Sequence, residues 1–284
     1  MFAASNTHSS SDSALQRAFD VYQKRDLIGK SSLYINWGLW DADTPDIDAA
    51  ARALILRIGE LAGLGPDARL LDVGFGYGDQ LLDWCRFTDL GSAEGLNICP
   101  EQTAVARARI ADAGFGGRVN VQVGDAVSLP FERCVFTAVT AIECAFHFRS
   151  RQQFFREAAR VLQPGGNLVL ADFIDADRPR LRQRLAQTLA ARHWGFAPDS
   201  FCSESRYREM LAEAGFVVQS FERVTHRVIP PGMRYARRRV WERDLRQRMR
   251  RWTWLKTVGA LGVSWMLGDP VPGEYIIVRA TRGA

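Results

Sequence analysis

The chain has 284 residues, 47% of them hydrophobic and 24% charged, with 24 Gly and 11 Pro, which excludes collagen-like, disordered and disulfide-stapled proteins. Five scattered cysteines without a C-x-x-C pair predict neither a disulfide framework nor a zinc site, and they favour a reducing, cytoplasmic compartment. The net charge of +5 is concentrated near the C-terminus, where residues 228–284 carry 12 Lys and Arg against 4 Asp and Glu.

Targeting segments and membrane spans are not expected from the sequence. The polar, Ser-rich residues 1–12 lack a basic start followed by an apolar stretch, so we expect no secretory signal. The longest apolar run, 255–267, has 13 residues and contains Lys256, whereas a transmembrane helix needs about 20. We therefore expect that no segment crosses a bilayer.

The first 62 residues are predicted to form a helical cap. Apolar residues at three- and four-residue intervals predict one helix over 13–27, and a second helix is predicted over 46–61. Between them, the aromatic-rich segment 33–40 follows neither a helical nor a strand period, so we interpret it as a loop. Its aromatic side chains either line a ligand pocket or are ordinary buried packing residues.

From residue 69 onward, short apolar runs alternate with helical patterns. The predicted strands are 69–73, 92–96, 119–123, 135–141, 167–173, 216–224 and 275–280. The predicted helices are 79–87, 100–113, 151–162, 179–192 and 204–214. This alternation is typical of a parallel sheet covered by helices on both faces, so the sequence predicts an α/β fold.

An insert of about 45 residues separates the last two predicted strands. Trp241, Leu245, Met249, Trp252 and Leu255 recur there at helical spacing beside several arginines, which predicts an amphipathic helix. Three roles stay open for this insert: it covers the sheet edge, it forms a lid over an apolar pocket, or it contacts an anionic membrane. Binding of single-stranded nucleic acid by the insert is disfavoured, because no RNA-binding module is recognisable in the sequence.

The most informative motif lies within residues 70–79. A buried strand delivers the acidic Asp72, and three alternating glycines, Gly74, Gly76 and Gly78, follow just before a helix. A nicotinamide-binding turn has G-x-G-x-x-G spacing and receives a pyrophosphate, which an acidic residue at this place would repel. Spacing of G-x-G-x-G beside an acid instead suits S-adenosylmethionine (SAM), a nucleoside without phosphates that carries an ammonium and a sulfonium group.

With these motifs, over roughly residues 54–280, the chain resembles the class I SAM-dependent methyltransferases. The resemblance implies a Rossmann-like, seven-stranded, mostly parallel sheet with an antiparallel last strand, with SAM as cofactor and S-adenosylhomocysteine (SAH) as product. Segments 34–40, 100–102 and 143–148 look like the branch that methylates small molecules, including the tocopherol, sterol, cyclopropane-fatty-acid and antibiotic-sugar methyltransferases. Nucleobase methylation is disfavoured, because no Asn-Pro-Pro-Tyr-like motif follows the fourth strand.

The resemblance also implies which residues bind the cofactor. The implied set is Asp72, Gly74, Gly76, Gly78, Asn97, Gln102, Asp125, Ala126 and Ile142. Asn97 stands where the family usually has an acid for the ribose hydroxyls, so hydrogen bonds there lack charge assistance, and Glu94 is the competing candidate. Asp125 matches the acid that receives the adenine amino group. Local chemistry offers alternatives: Asp72 as a capping or turn carboxylate, and Asp125 as an Asx-turn.

Methyl transfer from a sulfonium is an in-line displacement that needs alignment, a dry pocket and, for a hydroxyl acceptor, a base. His147 is the first candidate base, because it follows the fourth strand at the ligand-binding edge of the sheet and a histidine titrates near neutral pH. The alternative is that His147 merely packs between Phe146 and Phe148. Glu143 is the second candidate, either as a base or as a cofactor contact.

Substrate contacts are predicted for Tyr22, Trp37 and His193. His193 lies where a lid over the substrate would begin, although a position at the surface end of a helix explains this residue equally well. With no second histidine at ligand spacing and no carboxylate cluster, we predict no metal site.

These observations predict a single SAM-dependent methyltransferase domain over 1–284. Its parts are a helical cap at 1–62, a Rossmann-like core at 63–228 and 270–284, and a helical insert or lid at 229–269.

The predicted function is methylation of a small, hydrophobic metabolite, such as a natural product, lipid or isoprenoid, with O-methylation favoured and His147 as general base. One alternative is C-methylation of an alkene or aromatic carbon, in which aromatic faces stabilise a cation. Another is a non-catalytic protein of the same fold that binds a membrane or a partner. We expect a small-molecule substrate and no nucleic acid; the oligomeric state has no signature in the sequence.

Overall fold

The computed structural model describes residues 23–176, 181, 184, 202–266 and 273–283. The strands are β1 (Arg69–Val73), β2 (Ser92–Asn97), β3 (Val119–Val123), β4 (Phe136–Ile142), β5 (Leu162–Ile174), β6 (Phe216–Arg223) and β7 (Glu274–Arg282). The α-helices are α1 (Ile47–Ala62), α2 (Asp79–Phe87), α3 (Pro100–Asp112), α4 (Arg151–Val161), α5 (Glu204–Glu213), α6 (Thr225–Arg239), α7 (Arg243–Arg248) and α8 (Arg251–Met266). Two short 3-10 helical turns span Lys24–Asp26 and Ala145–His147.

The strands form one sheet in the order β3-β2-β1-β4-β5-β7-β6. The pairs β1–β2, β1–β4, β2–β3 and β4–β5 are parallel, whereas β7 runs antiparallel to both β5 and β6. The predicted α/β fold, with a mostly parallel sheet and an antiparallel last strand, is confirmed. Strand order reverses between β1 and β4, and open α/β sheets bind ligands beside the carboxyl ends of the strands at such a point.

Alternating side chains of the strands are buried on both faces of the sheet. Leu70 packs in a hydrophobic cluster with α1, α2 and α3, which includes Trp84. The next residue, Leu71, points to the opposite cluster, which includes Phe155 of α4 and Tyr207 of α5. Since successive residues of a strand point to opposite faces, this arrangement explains why the central strands are apolar at nearly every position.

Local sequence explains where several helices begin and end. Asp46 caps α1 by accepting a hydrogen bond from the backbone of Ala49 at 3.0 Å, and Gly63 ends the helix in the left-handed conformation. Ser150 caps α4 in the same way, and Pro100 opens α3 as predicted. Of these ends, those at Pro100 and Ser150 follow, within two residues, loop residues that line the cavity.

Three predicted elements differ from the structure or lie partly outside it. The helix predicted over 13–27 falls mostly outside the described residues, and its last part forms the turn Lys24–Asp26 followed by extended backbone. The helix predicted over 179–192 lies outside the described residues except for positions 181 and 184, which are helical. Strand β5 begins at Leu162 rather than at residue 167, because Leu162 pairs with Phe136 before the register shifts.

The prediction of one amphipathic helix in the insert is wrong. The insert contains α6, α7 and α8, and α6 begins at residue 225, four residues before the predicted boundary at 229. Extended backbone at Glu242 and Met249 separates the three helices. The residues that were expected to share one stripe therefore lie on different helices.

Exposure of the insert side chains follows from this break. Leu245 and Met249 are buried, but Trp241, Trp252 and Leu255 are 58%, 67% and 47% exposed. In the part of the chain that the structure describes, no helix combines the length and the hydropathy needed to span a bilayer.

Candidate active site

A cavity of about 460 Å³ opens at the carboxyl ends of the central strands. Its volume is within the range of small-molecule sites, about 300–1,000 Å³. The walls are formed by residues 73–77, 79 and 80 at the end of β1 and after it, 96–98 and 102 around the end of β2, 124–126 after β3, and 142–144 and 147–149 around the end of β4. A further wall, residues 33–36, comes from the aromatic-rich loop that precedes α1.

The glycine turn supplies backbone that side chains would block. Gly74, Gly76 and Gly78 have φ angles of 77°, 56° and 87°, in the left-handed region that favours glycine. A Cβ atom on Gly74 would lie 2.6 Å from the Cys144 sulfur, so the turn and the end of β4 are in close contact. Gly74 and Gly76 line the cavity, whereas Gly78 packs against Ala106 of α3 and is not part of the lining.

Asp72 lies behind the cavity wall. Its carboxylate accepts hydrogen bonds from the Thr140 hydroxyl at 2.8 Å and from the Gln80 amide at 2.9 Å, and burial raises the pKa of Asp72 to about 7. Gln80 lines the cavity, but Asp72 does not. Because these bonds go to side chains, Asp72 is neither a helix cap nor a turn carboxylate. Its direct contact with the cofactor stays a prediction.

Asn97 and Gln102 form a pair of amides on the cavity wall. The Asn97 amide donates to Gln102 Oε1 at 2.9 Å, and both side chains line the cavity. Glu94 accepts a hydrogen bond from Asn120 and lines a separate cavity of about 250 Å³ near Arg69, where β1 begins. The structure therefore favours Asn97 over Glu94 as the residue that can reach a ligand here.

Asp125 and Arg149 also line the cavity. One Asp125 oxygen accepts from the backbone of Val127 at 3.1 Å, which is the Asx-turn considered above, and the other accepts from Arg149 at 2.5 Å. Ala126 and Ile142 also line the cavity. An adenine amino group bound here would share the Asp125 carboxylate with Arg149.

Glu143 and His147 lie in the turn after β4, and both line the cavity. Glu143 has a φ of 51°, unusual for a residue other than glycine. Its Oε1 accepts from the Trp37 backbone N–H and from the Tyr275 hydroxyl, each at 2.8 Å, and burial raises the pKa of Glu143 to about 7. The His147 ring lies 4.4 Å from the Phe146 ring between centroids, so it packs against one predicted neighbour while also facing the cavity.

Residues 30–40, which we call the strap, close the cavity from outside the sheet. Four carboxylates from elsewhere in the chain hold it: those of Asp48, Asp79, Asp83 and Glu143. Asp48 accepts from the backbones of residues 30 and 31 at 2.9 and 2.8 Å, and Asp79 accepts from the backbone of residue 33 at 3.2 Å. The Tyr34 hydroxyl donates to Asp83. The strap is thus fixed by contacts that are distant in sequence.

Helix α6 packs on the outer side of the strap. The Trp40 backbone donates to the Arg227 carbonyl at 2.8 Å, and the Trp40 ring lies 5.5 Å from that of Tyr235. The Trp37 ring packs closely on Gly232: a Cβ atom added to Gly232 would lie 2.9 Å from the Trp37 ring. The first helix of the insert therefore forms a second layer over the site.

The predicted substrate-binding residues have different outcomes. Trp37 does not line the cavity and packs against α6 instead, so its substrate contact stays a prediction. Tyr22 and His193 lie outside the described residues.

The charges that line the cavity test whether the site suits SAM. Asp79, at the first residue of α2, forms two hydrogen bonds with Arg109 at 2.5 and 2.9 Å. A carboxylate thus sits at the helix N-terminus where a dinucleotide would place its pyrophosphate. Glu143 adds an acid without an arginine partner, Asp125 is paired with Arg149, and glycine backbone provides the close wall. The residues fit a cationic nucleoside and disfavour a diphosphate. Among the described residues, no group of three or more His, Cys, Asp or Glu side chains is placed to hold a metal ion.

Sequence reasoning missed several lining residues, including Gln80, Arg149 and Ile35. Gln80 is adjacent to the recognised glycine motif, but nothing in its type marks it as the partner of Asp72. Arg149 is one of many arginines. The strap anchors had only a weak signal, an acid at Asp48 two residues after the cap of α1.

Comparisons with known proteins agree with this site. Residues 71–170 match a family model described as a methyltransferase domain. The chain is 26% identical to erythromycin 3''-O-methyltransferase from Saccharopolyspora erythraea over 274 residues, which covers 93% of this chain and 89% of that protein. It is 30% identical to 27-O-demethylrifamycin SV methyltransferase from Amycolatopsis mediterranei over 204 residues, or 72% of this chain and 74% of the relative.

Solved structures share the fold at lower identity. The cyclase SpnF superposes with a TM-score of 0.74 at 23% identity, covering 97% of this chain and 96% of that one. Geranyl diphosphate C-methyltransferase from Streptomyces coelicolor, solved with SAH, has a TM-score of 0.67 at 18% identity and covers 94% of this chain and 97% of its own. Together with the family match and the curated relatives, the geometry shows that the chain belongs to the class I SAM-dependent methyltransferases that act on small molecules.

Proposed function

We propose that this enzyme methylates a hydroxyl oxygen of a small, hydrophobic metabolite of secondary metabolism, with His147 as the general base. The observation that carries the proposal is the position of His147 on the cavity wall, in the turn directly after β4. The relatives of this chain in Saccharopolyspora and Amycolatopsis are named as methyltransferases of erythromycin and a rifamycin, which supports a natural product as the methyl acceptor. The five free cysteines support a reducing, cytoplasmic setting.

In this proposal, different residues of the cavity wall bind different parts of the cofactor. Gly74 and Gly76 accommodate the methionyl part, Asn97 with Gln102 binds the ribose, and Asp125 receives the adenine. The amides of the ribose pair are already bonded to each other, so they are held in place before the ligand enters. SAM bound there supplies an electrophilic methyl group on a sulfonium.

The remaining steps belong to the residues of the chain. The strap and α6 exclude water from the reaction centre, and His147 accepts the proton of the acceptor hydroxyl as the new O–C bond forms and the C–S bond breaks. The imidazole then carries the proton to solvent. Positioning by the strap and proton removal by His147 are the two contributions that the protein makes.

C-methylation is the second candidate reaction, and the aromatic side chains on the cavity wall support it. Tyr34, Phe75, Tyr77 and Phe148 all line the cavity, and aromatic faces stabilise a carbocation formed when an alkene takes up a methyl group. In that reaction a base removes a proton from carbon after methyl addition. The identity of the product separates the two candidates.

The test uses methyl-labelled SAM with extract from the source cells, followed by separation into organic, aqueous small-molecule and macromolecular fractions. We expect label in the organic fraction, and about a hundredfold loss of turnover in His147→Ala. His226→Ala is the matched control, since His226 is exposed and has no assigned role. Label confined to protein or RNA would overturn the small-molecule acceptor, and unchanged turnover in His147→Ala would remove His147 as base.

We also propose that the insert contacts an anionic membrane surface through α8. This helix exposes Trp252, Leu255, Trp265 and Met266, the last two by 67% and 71%. Residues 245–266 contain five basic residues and no acidic one, and two of the five, Arg251 and Lys256, lie on α8 itself. Exposed tryptophans among basic residues are typical of helices that lie in the interface of an anionic bilayer, from which a hydrophobic acceptor would be drawn.

Vesicle sedimentation tests this surface. Binding is expected to vesicles with phosphatidylglycerol and not to pure phosphatidylcholine, with at least a tenfold loss in a Trp252→Ser/Trp265→Ser double variant. Val217→Ser, which removes an exposed apolar residue from β6, is the control. Equal binding by the double variant, or self-association without vesicles through the same residues, would overturn the membrane contact.

A further inference from the structure

Glu143 differs from the other acids of the cavity wall in its partners. Asp79 is paired with Arg109 and Asp125 with Arg149. The hydrogen bonds of Glu143 come instead from two neutral donors, the Trp37 backbone and the Tyr275 hydroxyl. Within the described part of the chain, the Glu143 carboxylate is therefore the acidic group of this cavity whose charge no arginine offsets.

The two donors belong to parts of the chain that are distant in sequence. Trp37 lies in the strap and Tyr275 in β7, and both donate to the same oxygen, Oε1. The other carboxylate oxygen of Glu143, Oε2, takes part in neither of these two bonds. Glu143 also lines the cavity. One carboxylate thus holds the strap with one oxygen and contributes to the ligand-facing wall.

The surroundings of Glu143 make its negative charge unfavourable in the closed cavity. The titratable groups that act on it are Tyr275 of β7 and Asp172 of β5, the latter paired with Arg151 of α4 at 2.9 Å, and Cys144 and His147 lie in its own turn. Burial is the main cause that raises the pKa of Glu143, and Asp172 adds to it. Burial and Asp172 therefore favour the protonated carboxyl, whereas the Trp37 and Tyr275 donors favour the ionised one.

We propose that Glu143 is a positioning residue that couples closure of the strap to the positive charge of the cofactor, so that the closed site prefers SAM over SAH. The inference rests on the proposed placement of SAM in this cavity. A cationic ligand offsets the charge of the ionised carboxylate, and the strap closes over it. Methyl transfer removes the sulfonium charge, which leaves Glu143 without that offset and favours opening and product release.

This coupling predicts a pH dependence of ligand choice. Above neutral pH, Glu143 is ionised in the absence of ligand, so the advantage of SAM over SAH grows with pH. Below pH 6 the carboxyl is protonated, still accepts both hydrogen bonds through Oε1, and distinguishes the two ligands less. If Glu143 acted only by accepting these two hydrogen bonds, the preference for SAM over SAH would not change with pH.

Calorimetric titration of the full-length protein with SAM and with SAH, from pH 6 to pH 8.5 and without acceptor, tests the proposal. We expect the ratio of SAH to SAM dissociation constants to rise about tenfold with pH in the wild type and to stay flat in Glu143→Gln. The amide keeps an oxygen acceptor but cannot ionise. Glu132→Gln, on an exposed loop, is the matched control and should follow the wild type.

Hydrogen exchange of the peptide that spans residues 33–40 supplies a second readout. In the wild type at pH 8, after correction for intrinsic exchange, SAM is expected to protect this peptide several-fold more than SAH does. In Glu143→Gln the two ligands should protect it equally. The same ligand ratio and the same protection in Glu143→Gln as in the wild type would overturn the coupling. Failure of both proteins to bind either ligand would instead overturn the cofactor placement.

Discussion

The two walls of the candidate active-site cavity are built in different ways. The wall after β1 is a contiguous motif whose shape is set by backbone, with Gly74 and Gly76 in left-handed conformations and Gln80 held by the buried Asp72. The strap opposite has no regular structure and is held by carboxylates that lie from 16 to 106 positions away in sequence. The first wall depends on the absence of side chains, and the second depends on side chains from four other places. Substitutions in the first should therefore damage fold and binding together, whereas substitutions in the second should loosen the cover and leave the sheet intact.

The largest effect is expected for Gly74→Ala. A Cβ atom there would meet the Cys144 sulfur at 2.6 Å, and the φ of 77° is unfavourable for alanine. We expect a loss of about 3–5 kcal/mol in the free energy of unfolding and no measurable SAH binding, from about 1–2 kcal/mol of backbone strain plus the steric overlap.

Gly114→Ala separates these two causes, since Gly114 has a φ of 79° but open space around it. Denaturant unfolding and calorimetry should show only the strain for this control, with SAH binding retained. Equal losses in the two variants would show that the contact with the end of β4 is unimportant.

The next effect concerns Asp72 and the pH dependence of stability. Because burial raises the pKa of Asp72 from 3.8 to about 7, the folded state binds a proton that the unfolded state releases, and stability from this residue is lost as pH rises from about 4 to 7. At about 1.4 kcal/mol per pKa unit, the loss is at most a few kcal/mol.

Asp72→Asn removes that titration and keeps an oxygen acceptor for Thr140. The free energy of unfolding of the variant should fall less steeply than that of the wild type between pH 4 and pH 7. Parallel pH profiles would contradict the burial of a titrating carboxyl at this position.

A smaller effect is expected from the strap anchor Asp48. Hydrogen bonds from residues 30–32 hold the pKa of Asp48 below its ordinary value, so its contribution to stability is present at neutral pH and is lost in acid. In Asp48→Asn we expect a loss of about 1–2 kcal/mol at pH 7 and faster hydrogen exchange in residues 30–36. Exchange in α1 beyond its first turn should not change. Asp43→Asn, at an exposed position, is the control, and equal strap exchange in both variants would contradict the anchoring role.

The smallest effect is expected for Asn97→Ala. It removes the proposed neutral hydrogen bond to the ribose, worth about 1 kcal/mol, so SAH should bind about fivefold more weakly, and because Gln102 Oε1 loses its donor the free energy of unfolding should fall by about 1 kcal/mol. Asn120→Ala, which removes the partner of Glu94 in the other cavity, should leave SAH binding unchanged. If the Asn120 variant were the weaker binder, the placement of the ribose beside Asn97 would be wrong.

The difference between the walls also explains what the sequence could predict. The glycine motif, the strand alternation and Asn97 were accessible because each depends on neighbours within about ten residues. Glu143 and His147 were found from their place after the fourth strand. The hydrogen bonds from Trp37 and Tyr275 to Glu143 could not be predicted, because partners that lie 106 and 132 positions apart leave no local pattern in the sequence.

The insert shows the same limit in another form. Spacing alone placed Leu245 and Trp252 on one helix, but the extended residue Met249 divides them between α7 and α8. Helical spacing indicates a shared face only where the helix is continuous. The packing of α6 on the strap likewise depends on Gly232 and Trp37, whose contact is defined by the tertiary fold.

A crystal structure of the complex with SAH tests the central claim most directly. We expect the methionyl part against Gly74 and Gly76, the ribose within hydrogen-bond distance of Asn97, the adenine amino group at Asp125, and the strap closed over the ligand. A nucleoside bound elsewhere, or an Asp125 that contacts only Arg149 and Val127 while the cavity holds SAH in another orientation, would contradict this claim.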